Sequence, residues 1–102
     1  MRLKGKKCIV TGGSSGIGEA TVRRFISEGA EVLIADINLE DSKKLSEEIG
    51  EGVDYIKCDV RLEDDIISVS EKAYGMWDQV DVLVNNAGSE LNQSYDKMTE
   101  AE

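Results

Sequence analysis

The chain has 102 residues, which is enough for one domain with a modest hydrophobic core. With 12 lysines and arginines against 21 aspartates and glutamates, its formal net charge is −9, so a nucleic-acid backbone or an anionic membrane would be repelled. No segment approaches the ~20 apolar residues that span a bilayer, and residues 1–7 lack the apolar run of a signal peptide. Composition therefore predicts a cytoplasmic protein that binds neither nucleic acid nor membrane.

The first half of the chain predicts two strands separated by a helix. Lys7–Thr11 is a short β-branched run that enters a turn of glycine and serine. Apolar residues at four-residue spacing from Ile17 to Phe25 then predict a helix, which Gly29 ends. Glu31–Asp36 carries an unbroken apolar run, as expected of a parallel strand that is covered on both faces.

The second half continues the alternation. Asn38 caps a predicted second helix that ends at Gly50, Val53–Val60 forms a third strand, apolar spacing over residues 62–73 predicts a third helix, and Val80–Val84 forms a fourth strand. The predicted fold class is therefore α/β, a doubly wound parallel sheet of about four strands in the order 3-2-1-4 with three helices.

The two cysteines, Cys8 and Cys58, each lie in an apolar run. In the predicted strand order they are two strands apart, about 10 Å at ~4.8 Å per strand, which exceeds the ~7 Å limit for a disulfide. Both are predicted to be reduced core thiols. Because the chain also has no histidine and no C-x-x-C pair, we predict no metal site.

The turn after the first strand reads T-G-G-S-S-G-I-G, a sequence suited to binding a phosphate diester. A helix N-terminus offers unpaired N–H groups and the positive end of the helix dipole. Gly12 allows a sharp turn, Gly16 lets the backbone approach a pyrophosphate, and Gly18 lets the helix pack against the sheet. Ser14 and Ser15 add hydroxyl donors. These features predict a Rossmann-type dinucleotide site, and the alternative for the glycines alone is a plain strand-to-helix turn.

Asp36 ends the second strand 18 residues after Gly18, close to the ~20 at which a carboxylate meets the adenosine ribose. Such a carboxylate accepts hydrogen bonds from two ribose hydroxyls and repels a 2′-phosphate. Neither Ser15 nor Ile37 supplies a cation for that phosphate. The pattern predicts NAD rather than NADP, and the alternative is a solvated or helix-capping aspartate.

With these features in place, the chain resembles the short-chain dehydrogenase/reductase family. Its turn is similar to the family's T-G-x-x-x-G-x-G, Asp59-Val60 resembles the adenine-contacting pair, and N-N-A-G at residues 85–88 matches the family signature. The resemblance implies that Asp59 holds the adenine amino group and Val60 packs against its ring, and the alternatives are a helix cap for Asp59 and a tight turn for N-N-A-G. The full predicted cofactor set is Gly12, Ser14, Ser15, Gly16, Ile17, Gly18, Asp36, Ile37, Asp59, Val60, Asn86, Ala87 and Gly88.

The resemblance also implies which residues this chain lacks. In the family a Tyr-x-x-x-Lys pair, with a serine and usually an asparagine, lies downstream of N-N-A-G. The tyrosine exchanges the alcohol proton and the lysine lowers its pKa. None of Tyr55, Tyr74 and Tyr95 has a lysine four residues later. We therefore predict no catalytic residue here, and an inactive 102-residue chain.

The implied parent protein transfers a hydride between NAD(H) and a small alcohol or ketone and is a homo-oligomer. Residues 1–88 are predicted to form a dinucleotide-binding βαβαβαβ unit, incomplete relative to the family, and residues 89–102 a loop and the start of a truncated helix. Two alternatives remain. A non-catalytic NAD-binding module would bind NAD without hydride transfer, and a Rossmann-like methyltransferase, whose turn is usually G-x-G-x-G, would bind adenosylmethionine.

Three further features receive structural interpretations. The acidic run Glu63–Asp65 is interpreted as a solvated helix start, where the helix dipole favours negative charge. Trp77 is expected to cover an end of the sheet. Asp81, within the otherwise apolar fourth strand, is predicted to be a buried carboxylate that needs a partner.

Overall fold

Strands and helices alternate along the chain, as the sequence predicts. The computed structural model describes residues 2–14 and 16–86. Within these residues the elements are β1 (Lys7–Thr11), α1 (Gly16–Ser27), β2 (Glu31–Asp36), α2 (Leu39–Ile49), β3 (Val53–Lys57), α3 (Glu63–Met76) and β4 (Val82–Asn85). The segment 89–102, which the sequence assigns to a loop and helix start, lies outside the described residues, as does the predicted boundary at residue 88.

The four strands form one parallel sheet in the order β3-β2-β1-β4, which confirms the predicted order. Val10 of β1 lies opposite Ile34 of β2 on one side and Val84 of β4 on the other. Because all four strands run in the same direction, their carboxyl ends meet at one edge of the sheet. That edge brings together the residues that follow each strand.

β3 is shorter than predicted, because it ends at Lys57 rather than Val60. Its neighbour β2 ends at Asp36, and the carbonyl of Asp36 accepts the last hydrogen bond, from the N–H of Cys58 at 2.9 Å. Beyond that point β3 has no strand to pair with. Cys58 and Val60 instead turn into the core, where they are 2% and 7% exposed.

β4 begins at Val82 rather than Val80, and Asp81 is exposed, so the prediction of a buried carboxylate is wrong. The N–H of Asp81 donates to the carbonyl of Lys7 at 2.8 Å, and the N–H of Lys7 donates to the Asp81 carboxylate at 2.8 Å. The Asp81 carboxylate thus accepts from a backbone group at the start of β1 and also from the side-chain amide of Gln79 at 2.8 Å. A side-chain oxygen replaces the strand carbonyl here, which ends the ladder.

The central strands are buried on both faces, as their unbroken apolar runs predict. Ile9, Leu33 and Ala35 face a core cluster that includes residues of α3. Alternate residues of the same strands, such as Val10 and Ile34, face a second cluster that includes residues of α1 and α2. A helix layer therefore covers each side of the sheet.

The two cysteines lie in these opposite clusters, Cys8 in the one beneath α1 and α2 and Cys58 in the one beneath α3. Both are free and buried, which confirms the prediction of reduced core thiols. Burial raises the pKa of the Cys8 thiol to about 11 and that of Cys58 to about 12.

The helix ends follow the expected chemistry at α2. The Asn38 side chain accepts a hydrogen bond from the N–H of Asp41 at 3.0 Å, and Gly50 ends the helix with φ +94°.

Trp77 follows α3, is 7% exposed, and donates its indole N–H to the Glu31 carboxylate at 3.3 Å. The side chain therefore packs in the core, with its one polar atom satisfied.

Candidate functional site

The glycine turn places the N-terminus of α1 at the carboxyl edge of the sheet. Gly12 and Gly16 have φ of +64° and +59°, a region that side chains other than glycine rarely adopt. The N–H of Gly12 donates to the carbonyl of Ala35 at 2.8 Å, which ties the turn to the end of β2. The first N–H groups of α1, which have no partner within the helix, therefore lie beside this edge.

Gly18 is required by a close approach between the first helix and the turn. A Cβ at this position would lie 1.9 Å from the carbonyl oxygen of Gly12 and 2.7 Å from Nδ2 of Asn86. The same distances show that the Asn86 side chain lies against the start of α1. The structure thus brings the start of the N-N-A-G motif beside the glycine turn, although the two are far apart in sequence.

Asp36 is buried at the end of β2, with 8% of its surface exposed. Its Oδ2 accepts hydrogen bonds from the N–H of Ser14 at 3.0 Å and from the Ser14 hydroxyl at 2.6 Å. Its Oδ1 accepts from the N–H of Asn38 at 2.8 Å. The carboxylate is therefore neither solvated nor the cap of α2, because Asn38 is that cap. It is held against the glycine turn.

Thr11, the last residue of β1, links the turn to the end of β4 and was not singled out from the sequence. Its side chain is buried, donates to Oδ1 of Asn85 at 3.0 Å, and accepts from the N–H of Asn86 at 3.0 Å. The only signal in the sequence is the threonine that precedes the glycines. Its hydroxyl orients the start of the N-N-A-G segment.

Gly13 is a second residue that the sequence analysis did not single out. A Cβ there would lie 3.1 and 3.2 Å from side-chain methyl groups of Ile34 and Val22. The turn therefore packs directly on the core at this residue. The pair of adjacent glycines in the turn is the sequence signal that could have indicated this close packing.

Asp59 follows β3, and its carboxylate is paired with Arg61. It accepts hydrogen bonds from Nε and Nη2 of Arg61 at 3.0 and 2.8 Å and from the Arg61 N–H at 3.0 Å. These contacts hold the pKa of Asp59 at about 2. The Asp59 side chain does not cap α3, which begins after Leu62, and the Asp59 N–H instead donates to the Asp65 carboxylate at 2.9 Å.

The remaining predicted residues differ in their surroundings. Ile17 and Ile37, at the start of α1 and after β2, are 78% and 56% exposed. Val60 packs in the core cluster beneath α3, so little of its side chain is available to a ligand. Ser15, Ala87 and Gly88 lie outside the residues that the structure describes.

A cleft of about 310 Å³ opens between α1 and α2 beside the turn. It is lined by Ser14, Glu19, Asp41, Lys44, Leu45 and Glu48. Of the three carboxylates, Glu19 and Glu48 are paired with the Arg23 guanidinium at 2.9 and 2.6 Å, so the wall carries little net charge. Among residues 2–14 and 16–86 no group of three or more metal-ligating side chains is placed to hold a metal ion, and no helix is long and apolar enough to cross a bilayer.

The fold and this edge define a Rossmann-type α/β protein, in which a glycine turn leads from the first strand into a helix N-terminus and an acidic residue ends the second strand. The chain belongs to the short chain dehydrogenase family, whose model matches residues 6–102. The resemblance found in the sequence is thereby confirmed.

Individual relatives agree with this assignment. The chain is 42% identical over 87 residues to tropinone reductase-like 1 of Erythroxylum coca, a match that covers 85% of this chain and 32% of that protein. It is 40% identical over 89 residues to 3beta-hydroxysteroid dehydrogenase 2 of Eggerthella lenta, covering 84% and 34%. The chain spans about a third of the length of such curated relatives.

A solved structure shares the fold. The 3-ketoacyl-(acyl-carrier-protein) reductase from Brucella melitensis, complexed with NADH, superposes with a TM-score of 0.82 at 33% identity. The match covers 95% of this chain and 43% of that one. The chain is therefore a nucleotide-binding region of an oxidoreductase family, and the methyltransferase alternative is left without support.

Proposed function

We propose that this region binds NAD within an oxidoreductase that transfers a hydride between NAD(H) and a small alcohol or ketone. The observation that carries the proposal is the Asp36 carboxylate, buried at the end of β2 and held against the turn that begins α1. Family membership and a neighbour complexed with NADH support the same cofactor class. When bound, NAD supplies the hydride chemistry.

The turn has the open surface that a pyrophosphate needs. Among residues 2–14 and 16–86, no heavy atom outside the immediate neighbours lies within 4 Å of a Cβ built on Gly16, and the glycine has no side chain to block a phosphate. The α1 N-terminus supplies N–H donors, and Asp36 supplies the acceptor for the adenosine ribose. The proposed cofactor residues are those of the sequence prediction, Gly12, Ser14, Ser15, Gly16, Ile17, Gly18, Asp36, Ile37, Asp59, Val60, Asn86, Ala87 and Gly88.

Within this proposal, NAD is preferred over NADP. A 2′-phosphate next to Asp36 would meet like charge in a buried setting. The adjacent cleft adds the carboxylate of Asp41, while Glu19 and Glu48 are paired with the Arg23 guanidinium at 2.9 and 2.6 Å. Negative charge at Asp36 and Asp41 raises the free energy of a bound 2′-phosphate, whereas the free hydroxyls of a ribose can donate hydrogen bonds to Asp36.

The test is calorimetric titration of the purified protein with NAD and NADP. Asp36→Ala should weaken NAD binding by roughly ten- to 150-fold, the equivalent of ~1.5–3 kcal/mol for charge-assisted hydrogen bonds. It should also reduce the difference in affinity between NAD and NADP. Glu40→Ala removes the same charge from an exposed position on α2 and should leave both affinities unchanged. If Asp36→Ala leaves both affinities unchanged, the assignment is wrong.

Activity separates the enzyme from the alternative of a non-catalytic binding module. The assay uses the full-length protein with a panel of small alcohols and ketones. Formation or loss of NADH would support hydride transfer, whereas tight NAD binding without turnover would favour the module. We further propose a cytoplasmic location, a homo-oligomeric full-length protein and a dinucleotide-binding unit over residues 1–88.

A further inference from the structure

The Ser14 hydroxyl occupies a position on Asp36 that the proposed ligand also needs. Ser14 donates twice to Oδ2, from its N–H at 3.0 Å and its hydroxyl at 2.6 Å, and Asn38 donates once to Oδ1 at 2.8 Å. A carboxylate offers about four lone-pair positions. Among the described residues these three bonds occupy Asp36, and they leave about one position for a ribose that brings two adjacent hydroxyls.

Of these three donors, only the hydroxyl is free to move. The two N–H groups are fixed by the backbone of the turn and of the segment before α2, whereas a hydroxyl turns about a single bond. Ser14 is 7% exposed and Asp36 is 8% exposed, so little water reaches the carboxylate in place of that donor. A buried charge with a missing donor is unfavourable, so the hydroxyl stabilises the ligand-free site.

We propose that Ser14 is a place-holder for the adenosine ribose: its hydroxyl satisfies Asp36 in the ligand-free protein and turns away when a ribose hydroxyl takes its position. This inference rests on the proposed function. Binding then exchanges one charge-assisted hydrogen bond for another, so the ribose gains less affinity than two new bonds would give. Ser14 thereby sets the affinity for NAD through competition.

Ser14→Ala tests the proposal, because a place-holder role predicts that this variant loses stability and gains affinity for NAD. Removing the hydroxyl leaves Oδ2 short of a donor in the ligand-free protein, so the protein should unfold at a lower urea concentration. The ribose then supplies the missing donor, so NAD should bind about two- to tenfold more tightly, the factor carried by one net hydrogen bond.

Ser42→Ala is the matched control. Ser42 is fully buried, and its hydroxyl donates to the carbonyl of Asn38 at 2.9 Å rather than to Asp36. Its removal should lower stability and leave NAD affinity unchanged. The second readout is the affinity of NAD analogues that lack the 2′- or the 3′-hydroxyl of the adenosine ribose. In Ser14→Ala, the loss of affinity caused by at least one of these deletions should become larger than in the unmodified protein.

The outcomes separate this inference from the proposed function. If the unmodified protein binds NAD and Ser14→Ala binds it equally well or more weakly, the place-holder role is refuted and the proposed function stands. If the unmodified protein does not bind NAD, the proposed function is refuted, and the role of Ser14 with it. Tighter binding by a less stable Ser14→Ala protein supports the inference, because structural damage alone would weaken both.

Discussion

Gly18→Ala should separate the function of the turn from ordinary helix preference. The added Cβ would lie 1.9 Å from the Gly12 carbonyl oxygen, whereas unstrained carbon–oxygen contacts are about 3.3 Å. Both partners are backbone, so α1 or the turn would have to move by roughly 1 Å or more. Asn86, whose Nδ2 would be 2.7 Å away, would have to move as well.

The expected magnitude follows from two opposing terms. Overpacking a tight site costs about 1–3 kcal/mol and occasionally more, and this site belongs at the upper end because no flexible side chain can give way. Alanine in a helix is favoured over glycine by ~1 kcal/mol. The free energy of unfolding should therefore fall by about 2 kcal/mol. NAD affinity should fall at least about tenfold as the N–H groups of α1 move out of position.

The assay is urea unfolding followed by the fluorescence of Trp77, the one tryptophan in the sequence, together with NAD titration. Gly75→Ala is the matched control, because in the described part of the chain no heavy atom beyond its own helix turn lies within 4 Å of its added Cβ in α3. That variant should gain about 0.4–1 kcal/mol in stability. If Gly18→Ala is as stable as Gly75→Ala, the close approach between turn and helix does not exist.

Other residues give independent predictions. Asn38→Ala removes the cap of α2 and should lower the free energy of unfolding by ~1 kcal/mol in urea titration. Cys8 and Cys58, with their pKa values raised to about 11 and 12, should not react with Ellman's reagent at pH 8 until the protein unfolds. Because the unfolded thiols ionise first, stability should fall as pH rises from 9.0 towards those values. Arg61→Ala should raise the pKa of Asp59 from about 2 towards its ordinary 3.8, measured by NMR titration.

A specific outcome would contradict each of these predictions. Unchanged stability in Asn38→Ala would mean that water caps the helix equally well. Rapid thiol labelling in the folded protein would contradict the burial of the cysteines. For Asp59 the lowered pKa means that the ion pair stabilises the fold above pH ~4 and loses this effect as pH falls towards ~2. An unchanged carboxyl titration in Arg61→Ala would assign the shift to another group.

Local patterns in the sequence predicted most of the fold. Apolar periodicity and the glycine and asparagine signals at helix ends depend on neighbouring residues, so the order of strands and helices follows from them. The unbroken apolar run of β2 likewise predicted a strand covered on both faces. The positive φ of Gly12 and Gly16 agrees with a turn that only glycine tolerates well.

The tertiary structure decided where strands stop and what each polar group contacts. β3 ends at Lys57 because β2 gives it no partner further on. Asp81 is exposed and accepts hydrogen bonds from the backbone of Lys7 and the side chain of Gln79. Apolar runs predict strand over residues 53–60 and 80–84. The point within each run at which the strand begins or ends depends on how far the neighbouring strand extends. The side chain of Val60 packs in the core cluster beneath α3, whereas its place beside the adenine ring stays a prediction.

The sequence by itself determined a parallel α/β sheet, a glycine turn before its first helix and a carboxylate at the end of its second strand. Only the tertiary structure decided that the Ser14 hydroxyl satisfies Asp36 and that Asn86 lies against Gly18. These partners are 22 and 68 residues apart in the chain. Contacts over such separations are set by strand register and by the packing of helices on the sheet, which leave no local signal in the sequence.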